Sequence, residues 1–301
     1  MRVGIIGMGW VGSSIAISTL HSGVATDLLV NDARPAVAEG EALDLAQGAS
    51  FYPAATVQPA AVEEMRDLDA VVITAGRGGK PAESRLDLLR DNAAIVRGIA
   101  KRLSGFRGLL IVVSNPVDIM TRVAAEAADL PAARVLGTGT MLDTARLRQM
   151  LGRELDVDSR AVHAHVVGEH GDSEVVLWSA ARVGGVPLRE WHGWKREREP
   201  IIAAEVQRAA YEIIAKKGAT NHAIGLVTAA LLRWALRNER RILTVSRVQE
   251  GTLGVRDLAI SLPAIVGRHG AAEVIEPEMS ADERAAFDRS AEVLREAVSR
   301  L

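Results

Sequence analysis

The chain has 301 residues, 48% of them hydrophobic, enough to bury a large core and long enough to favour two domains over one. A formal charge of −2 without any basic stripe points away from nucleic acid and other polyanionic partners. The absence of cysteine excludes a disulfide scaffold, thiolate metal sites and a cysteine nucleophile.

Residues 3–6 form a short apolar run that meets Gly7-Met8-Gly9-Trp10-Val11-Gly12, after which Ile15, Ile17 and Leu20 continue at helical spacing. These glycines interrupt any signal-type apolar core, and no run approaches a membrane span, so a cytoplasmic enzyme is expected. Strand, Gly-x-Gly-x-x-Gly turn and helix are the setting for a dinucleotide. The first glycine permits the tight turn, the second lets a pyrophosphate approach the backbone, and the third lets helix and strand pack, with the helix N-terminus facing the phosphates. A second strand at 28–30 ends in Asn31-Asp32, 20 residues beyond Gly12. A carboxylate there accepts hydrogen bonds from a ribose and repels a 2′-phosphate, which argues for NAD over NADP.

Alternation continues with a buried strand at 70–74, a helix at 88–103 and a buried strand at 109–113, the pattern of a parallel sheet covered on both faces. Ligands in such sheets bind at the carboxyl ends of the strands. Polar, irregular sequence follows both strands there, at 75–81 and 114–118, and the Gly78-Gly79 pair could hinge a lid that carries Arg85 over the site. Beyond about residue 139 the character becomes α+β. Residues 162–167 and 175–180 read as strands of a second sheet, and Ile202, Val206, Ala209 and Ile213 as a helix stripe closed by Gly218. Residues 241–248 and 253–260 read as a strand pair around Glu250-Gly251. The last helix opens with a Ser280/Glu283 capping box and carries Phe287, Ala291, Leu294 and Val298. With no linker-like segment, the two halves are expected to pack closely.

Within the second half, His170 lies in Gly168-Glu169-His170-Gly171-Asp172-Ser173, at the end of an apolar run, where the chain can turn and expose an imidazole. Asp143 and Arg146 are three apart in a helical segment and share a face. A carboxylate on one imidazole nitrogen fixes the tautomer and favours the imidazolium, freeing the other nitrogen to deliver a proton. A guanidinium beside it can hold a substrate carboxylate bidentately.

Six motifs in order carry a resemblance: Gly7-x-Gly-x-x-Gly12, Ile73-Thr-Ala-Gly76, Glu83-Ser-Arg-Leu-Asp87, Ser114-Asn-Pro-Val-Asp118, Leu142-Asp-Thr-Ala-Arg146 and Gly168-Glu-His-Gly-Asp172. Together they resemble the L-lactate and malate dehydrogenase family, in its bacterial lactate dehydrogenase branch, over nearly the whole chain. The resemblance implies an α/β fold: a Rossmann-type parallel sheet with helices on both faces over 1–139, then an α+β catalytic domain over 140–301. It implies His170 as proton donor, Asp143 as its partner, Arg146 as binder of the substrate carboxylate, Arg85 as the carbonyl-polarising lid residue and Asn115 beside nicotinamide and substrate. Thr220 matches a substrate-pocket threonine, and cofactor contacts fall on Gly7, Gly9, Gly12, Asp32, Thr74, Ala75, Gly76 and Asn115. The implied reaction is reduction of a 2-oxo acid by NADH, with no metal required, in a homo-oligomer, tetramer or dimer. A malate dehydrogenase and a non-catalytic NAD-binding scaffold or sensor are the competing readings.

One departure and one further match sharpen these expectations. Lactate dehydrogenases place a glutamine, and malate dehydrogenases an arginine, one residue before a Lys/Arg-Pro pair; here Gly79 precedes Lys80-Pro81. Oxaloacetate then lacks its usual partner, unless Arg77 or Lys80 reaches inward. Glu83 and Thr220 favour the lactate side, and the empty volume admits 2-oxo acids larger than pyruvate. In bacterial lactate dehydrogenases activated by fructose 1,6-bisphosphate, an arginine and a histidine at a subunit interface bind the phosphates, and those positions hold Arg148 and His163.

Overall fold

The structure is a computed structural model that describes residues 1–78 and 85–301, with Arg85 described through its backbone alone. In chain order the first part runs β1 (Arg2–Ile6), α1 (Trp10–Ser22), β2 (Asp27–Asn31), α2 (Pro35–Gln47), β3 (Thr56–Pro59), β4 (Ala70–Ile73), α3 (Arg85–Arg102), β5 (Leu109–Val112), α4 (Val117–Ala128) and β6 (Val135–Gly137). Every residue of β4 and β5 is buried, which only a central strand covered on both faces allows. Strand β1 lies between β2 and β4, parallel to both, so the chain reverses its direction of travel across the sheet at β1. A crevice opens beyond the carboxyl ends of β1 and β4 at this point.

The second part runs α5 (Met141–Leu155), β7 (Val162–His163), β8 (Val166–Val167), β9 (Val175–Val176), β10 (Arg182–Val183), β11 (Val186–Pro187), α6 (Arg198–Lys217), α7 (His222–Leu236), β12 (Arg241–Glu250), β13 (Arg256–Gly267), β14 (Gly270–Val274) and α8 (Ala281–Ser299). Among the described residues, nine strands form one sheet in the order β14-β13-β12-β6-β5-β4-β1-β2-β3. The expected strand pair is therefore present as β12 and β13, antiparallel and longer than expected, but it extends the parallel sheet through the Ser246–Gly137 pairing with β6. Two smaller sheets, β11-β10-β7 and β8-β9, pair separately, the second touching the large one where Gly168, just after β8, bridges to Ser261 of β13.

The two halves share apolar cores. On one face of the large sheet Ile6, Val71, Ile73, Leu110 and Val112 pack with Phe287, Ala291 and Leu294 of α8. On the other, Val3, Ile5 and Ile15 pack with Leu231, Leu232 and Ala235 of α7. Asn221, just before α7, also donates from Nδ2 to Ser14 Oγ of α1 at 2.9 Å. Helix α8 starts with the expected capping box, Ser280 accepting from the Glu283 N–H and Glu283 from the Ser280 N–H.

Three expectations need correction. The run at 162–167 is two short strands, because the chain leaves the β10 pairing after His163 and joins β9 only from Val166. Of 175–180, only Val175–Val176 is strand. In α6 Ile202 and Val206 are buried, whereas Ile213 is exposed: the helix runs off the small apolar core that holds its first half. No sequence expectation exists for α2, β3, α4, β6 or α7. No helix among the described residues is long and apolar enough to cross a membrane.

Candidate active site

The nucleotide crevice is made by backbone. A Cβ built at Gly12 would stand 1.9 Å from the Gly7 carbonyl oxygen, so the turn closes only because both positions lack side chains. At Gly9, the N-cap of α1, a Cβ would meet nothing within 4 Å, leaving room for a phosphate against the helix N-terminus. Thr74 locks the turn from β4, its hydroxyl donating to the Gly7 carbonyl at 2.5 Å. Ser114 Oγ donates to the Ala75 carbonyl at 2.6 Å. Asp32 follows β2 and points back to the turn, Oδ2 accepting from the Met8 N–H at 2.9 Å and Oδ1 from the Arg34 N–H at 3.0 Å. A cavity of about 480 Å³ lined by Val11, Thr74, Gly76 and Asn115 continues from the turn. Room at Gly9 and a carboxylate at Asp32 fit NAD.

Asn115, at the end of β5, joins this cavity to a second one of about 300 Å³, whose walls include Arg146, His170 and Thr220. Asp143 and Arg146 project from α5, and Arg146 Nη1 donates to Asp143 Oδ1 at 2.8 Å. His170 comes from the turn after β8, its Nδ1 2.6 Å from Asp143 Oδ2. Thr220 sits between α6 and α7, just past Gly218, which ends α6 in the left-handed conformation.

The His170 turn is pinned from three elements. Gly168, at φ 91°, exchanges backbone hydrogen bonds with Ser261 of β13, and a Cβ on it would lie 2.7 Å from Ser290 Oγ of α8. The Glu169 N–H donates to Ser290 Oγ, and the His170 N–H donates to Asp118 Oδ2 of α4 at 2.8 Å. Only 3% of the Asp143 side chain is exposed, against 27% for His170, which faces the cavity.

Burial works against a charge on His170, but the Asp143 carboxylate and its hydrogen bond, with Asp118 and Glu174, outweigh it and raise the imidazole to about 9. Burial would likewise raise the Asp143 carboxyl, yet the His170 charge and hydrogen bond, with Arg146, hold it below its usual range. The favoured state is imidazolium, carboxylate and guanidinium side by side. Proton delivery and carboxylate binding are the chemistry such a group performs.

Two carboxyls here have no role in the sequence reading. Asp118 is buried, which pushes it up to about 6, and it holds the His170 backbone. Its motif was visible, but nothing in it links residue 118 to 170. Glu174 brings a carboxylate oxygen within 4.8 Å of both a His170 ring nitrogen and an Asp143 oxygen. These three atoms could surround a cation, although Asp143 already has both oxygens engaged by Arg146 and His170.

Arg77 lies along α3, its Nε donating to Asp91 Oδ2 at 2.9 Å. Gly79, Lys80, Pro81 and Glu83 lie outside the described residues, as does the side chain of Arg85, which opens α3. Arg148 Nε donates to the carbonyl of Ala164, next to His163, at 3.0 Å, and His163 is exposed.

Residues 1–137 match the family model for the lactate/malate dehydrogenase NAD binding domain, and residues 140–301 that for the lactate/malate dehydrogenase alpha/beta C-terminal domain. The chain is 44% identical over 306 residues to L-lactate dehydrogenase of Geobacillus thermodenitrificans, covering 99% of this chain and 96% of that one. It is 42% identical over 307 residues to L-lactate dehydrogenase 2 of Enterococcus faecalis, covering 100% and 97%. Among solved structures, the ligands-bound form of the minor L-lactate dehydrogenase from Enterococcus mundtii matches with a TM-score of 0.97 at 41% identity, covering 100% of this chain and 98% of that one. The ligands-unbound form of the same enzyme gives 0.91 at 39%, covering 99% and 96%. An NAD-binding oxidoreductase by its matched domains, the chain belongs to the lactate/malate dehydrogenase family.

Proposed function

We propose that this chain is an NAD-dependent L-lactate dehydrogenase that converts pyruvate and NADH to L-lactate and NAD and tolerates larger monocarboxylic 2-oxo acids. The observation that carries the reading is the His170–Asp143–Arg146 group on a cavity joined to the nucleotide crevice at Asn115. Gly7, Gly9, Gly12, Asp32 and the 74–76 segment would hold NAD, which when bound supplies the two-electron chemistry. Arg146 holds the substrate carboxylate and so sets the reacting carbon relative to Asn115. His170, with Nδ1 committed to Asp143, delivers the proton from Nε2 to the substrate oxygen. Asp143 stabilises the imidazolium before delivery and keeps the ring oriented afterwards. Arg85, the first residue of α3, stabilises the negative charge developing on the substrate oxygen. Thr220 completes the wall around a small 2-substituent.

The preference for pyruvate over oxaloacetate rests on Gly79, which offers no charge, and on Arg77, whose guanidinium is paired with Asp91. NADH oxidation followed by absorbance with pyruvate, 2-oxobutyrate, 2-oxoisocaproate and oxaloacetate tests the reading. Pyruvate is expected to give the highest specificity constant of the first and last of these. More efficient use of oxaloacetate would make it a malate dehydrogenase, and no turnover of any would leave a binding protein.

The same reading makes residues 1–139 the NAD-binding unit and 140–301 the substrate unit of a cytoplasmic homo-oligomer, a tetramer or dimer, with fructose 1,6-bisphosphate as effector at Arg148 and His163. Support for the effector is the exposed imidazole of His163 on the strand whose next carbonyl holds Arg148. Facing copies across a two-fold axis would double these charges. Titrating the bisphosphate against the pyruvate saturation curve tests it, and an unchanged curve refutes it.

A further inference from the structure

The mechanism above leaves one carboxyl unused, although it lies against the reacting group. Glu174 follows His170 by four residues, and one of its oxygens, one Asp143 oxygen and one His170 ring nitrogen all lie within 4.8 Å of one another. Its Oε1 is shielded from solvent and has no hydrogen-bond partner among the described residues. Asp143 cannot relieve it, because Arg146 and His170 hold it as a carboxylate with no proton to donate. An ionised Glu174 would therefore put a second, poorly solvated negative charge beside Asp143, which adjacent buried carboxyls avoid by keeping a proton.

We propose that Glu174 is a positioning residue for the proton on His170: a carboxyl kept neutral beside the Asp143 carboxylate while the imidazolium is in use, whose charge, once formed this close to the ring, favours the charged imidazole. The surrounding charges agree with this in direction. Burial, then the Asp143 charge, raises Glu174 to about 8, while His170 and Arg146 oppose the rise and Glu169 adds to it. His170 stands at about 9, with Asp143, Asp118 and Glu174 all favouring its charged form. The groups that face the pair are thus Asp143 and Arg146 from α5, Asp118 from α4, and Glu169 from the same turn. Interacting sites lose protons in steps that belong to the set, so Glu174 and His170 titrate together as pH rises. The result is a proton supply for 2-oxo acid reduction that persists to higher pH than an Asp–His pair alone would maintain. The reverse reaction, which needs neutral His170, is delayed by the same charge.

This inference rests on the reading of His170 as the acid, and the test separates the two. Glu174→Gln keeps the shape and removes the ionisation. The His170 ring titration, followed by NMR, is expected to fall by about one pH unit or more in the variant, as for a lost charge at this range. The alkaline limb of the pyruvate specificity constant should fall by a similar amount, with NADH affinity unchanged and part of the shift recovered in Glu174→Asp. An identical ring titration and an identical limb would overturn the proposal. Should the variant fold poorly, infrared spectroscopy of the unmodified protein decides: a protonated-carboxyl band is expected near neutral pH that bleaches as pH rises through about 8, and no such band would refute it. Absence of turnover with every 2-oxo acid would fail the lactate dehydrogenase reading, while the ring titration and the infrared band would still judge Glu174.

Discussion

The turn from Gly7 to Gly12 is made by six consecutive residues, and its shape depends on atoms that are missing: no Cβ at Gly12 to strike the Gly7 carbonyl, none at Gly9 to fill the phosphate space. The group around His170 is built the other way. Its charges come from α4, α5 and the turn after β8, over a sequence span from Asp118 to Glu174, and it is held by hydrogen bonds to the Asp118 and Asp143 carboxylates. A backbone-shaped site fails by steric intrusion and should fail all at once. A charge-shaped site fails by changing which atom holds a proton, so single substitutions should change rates and pH profiles while the fold survives.

Substitutions on the two sides of this comparison should separate cleanly. His170→Asn removes the proton carrier, and turnover of pyruvate should fall by roughly 10²–10⁴ while NADH binding, measured by fluorescence, is retained. Loss of NADH binding in that variant would mean that the two regions are not independent. Gly12→Ala places a Cβ 1.9 Å from the Gly7 oxygen. Overpacking of that kind costs about 1–3 kcal/mol, so NADH affinity should drop by roughly 10- to 100-fold, with the His170 ring titration unchanged. Between these lies Asp32, whose carboxylate is already shared between the Met8 and Arg34 N–H groups. Replacing it by serine should reduce the preference for NADH over NADPH by about tenfold, the worth of a charged hydrogen bond. Equal use of both cofactors by the unmodified protein would refute its assignment to the ribose.

The same contrast explains what could be read without coordinates. The glycine turn and Asp32 are local, and their spacing alone states what they can do. Strands such as β4 and β5 are fully buried, so their composition is unambiguous. Helix α2 buries only Ala38, Ala42 and Leu45, too weak a stripe to stand out, and β6 is three residues long. The attachment of β12 to β6 links residues more than a hundred positions apart, and no local pattern encodes it. At the site, His170, Asp143 and Arg146 were legible because their chemistry is complementary. Asp118 and Glu174 were not, because their influence comes from burial and from which charges the fold brings beside them.

Asp118 offers the finest discrimination within the charge-shaped site. Burial raises its carboxyl from 3.8 to about 6, so the folded protein favours the protonated acid more than the unfolded chain does. The stability from that preference is fully present below about pH 4 and is lost as pH rises through about 6. Above that point an ionised, buried Asp118 remains, tolerated because it accepts the His170 N–H and favours the imidazolium. Asp118→Asn keeps an acceptor for that N–H and removes the charge. Its melting temperature should therefore exceed that of the unmodified protein above about pH 6 and lose the advantage below about pH 4. At the same time the His170 proton should become easier to remove, moving the alkaline limb of pyruvate reduction down by about one pH unit. Turnover near pH 7 should change less than tenfold, since an imidazole starting from about 9 would stay mostly charged there. With Glu174 already replaced by glutamine, Asp118→Asn should still lower the His170 titration, because Asp118 favours the imidazolium independently of Glu174. A melting temperature that falls at every pH would show instead that Asp118 serves the fold through its charge, and that its effect on His170 is incidental.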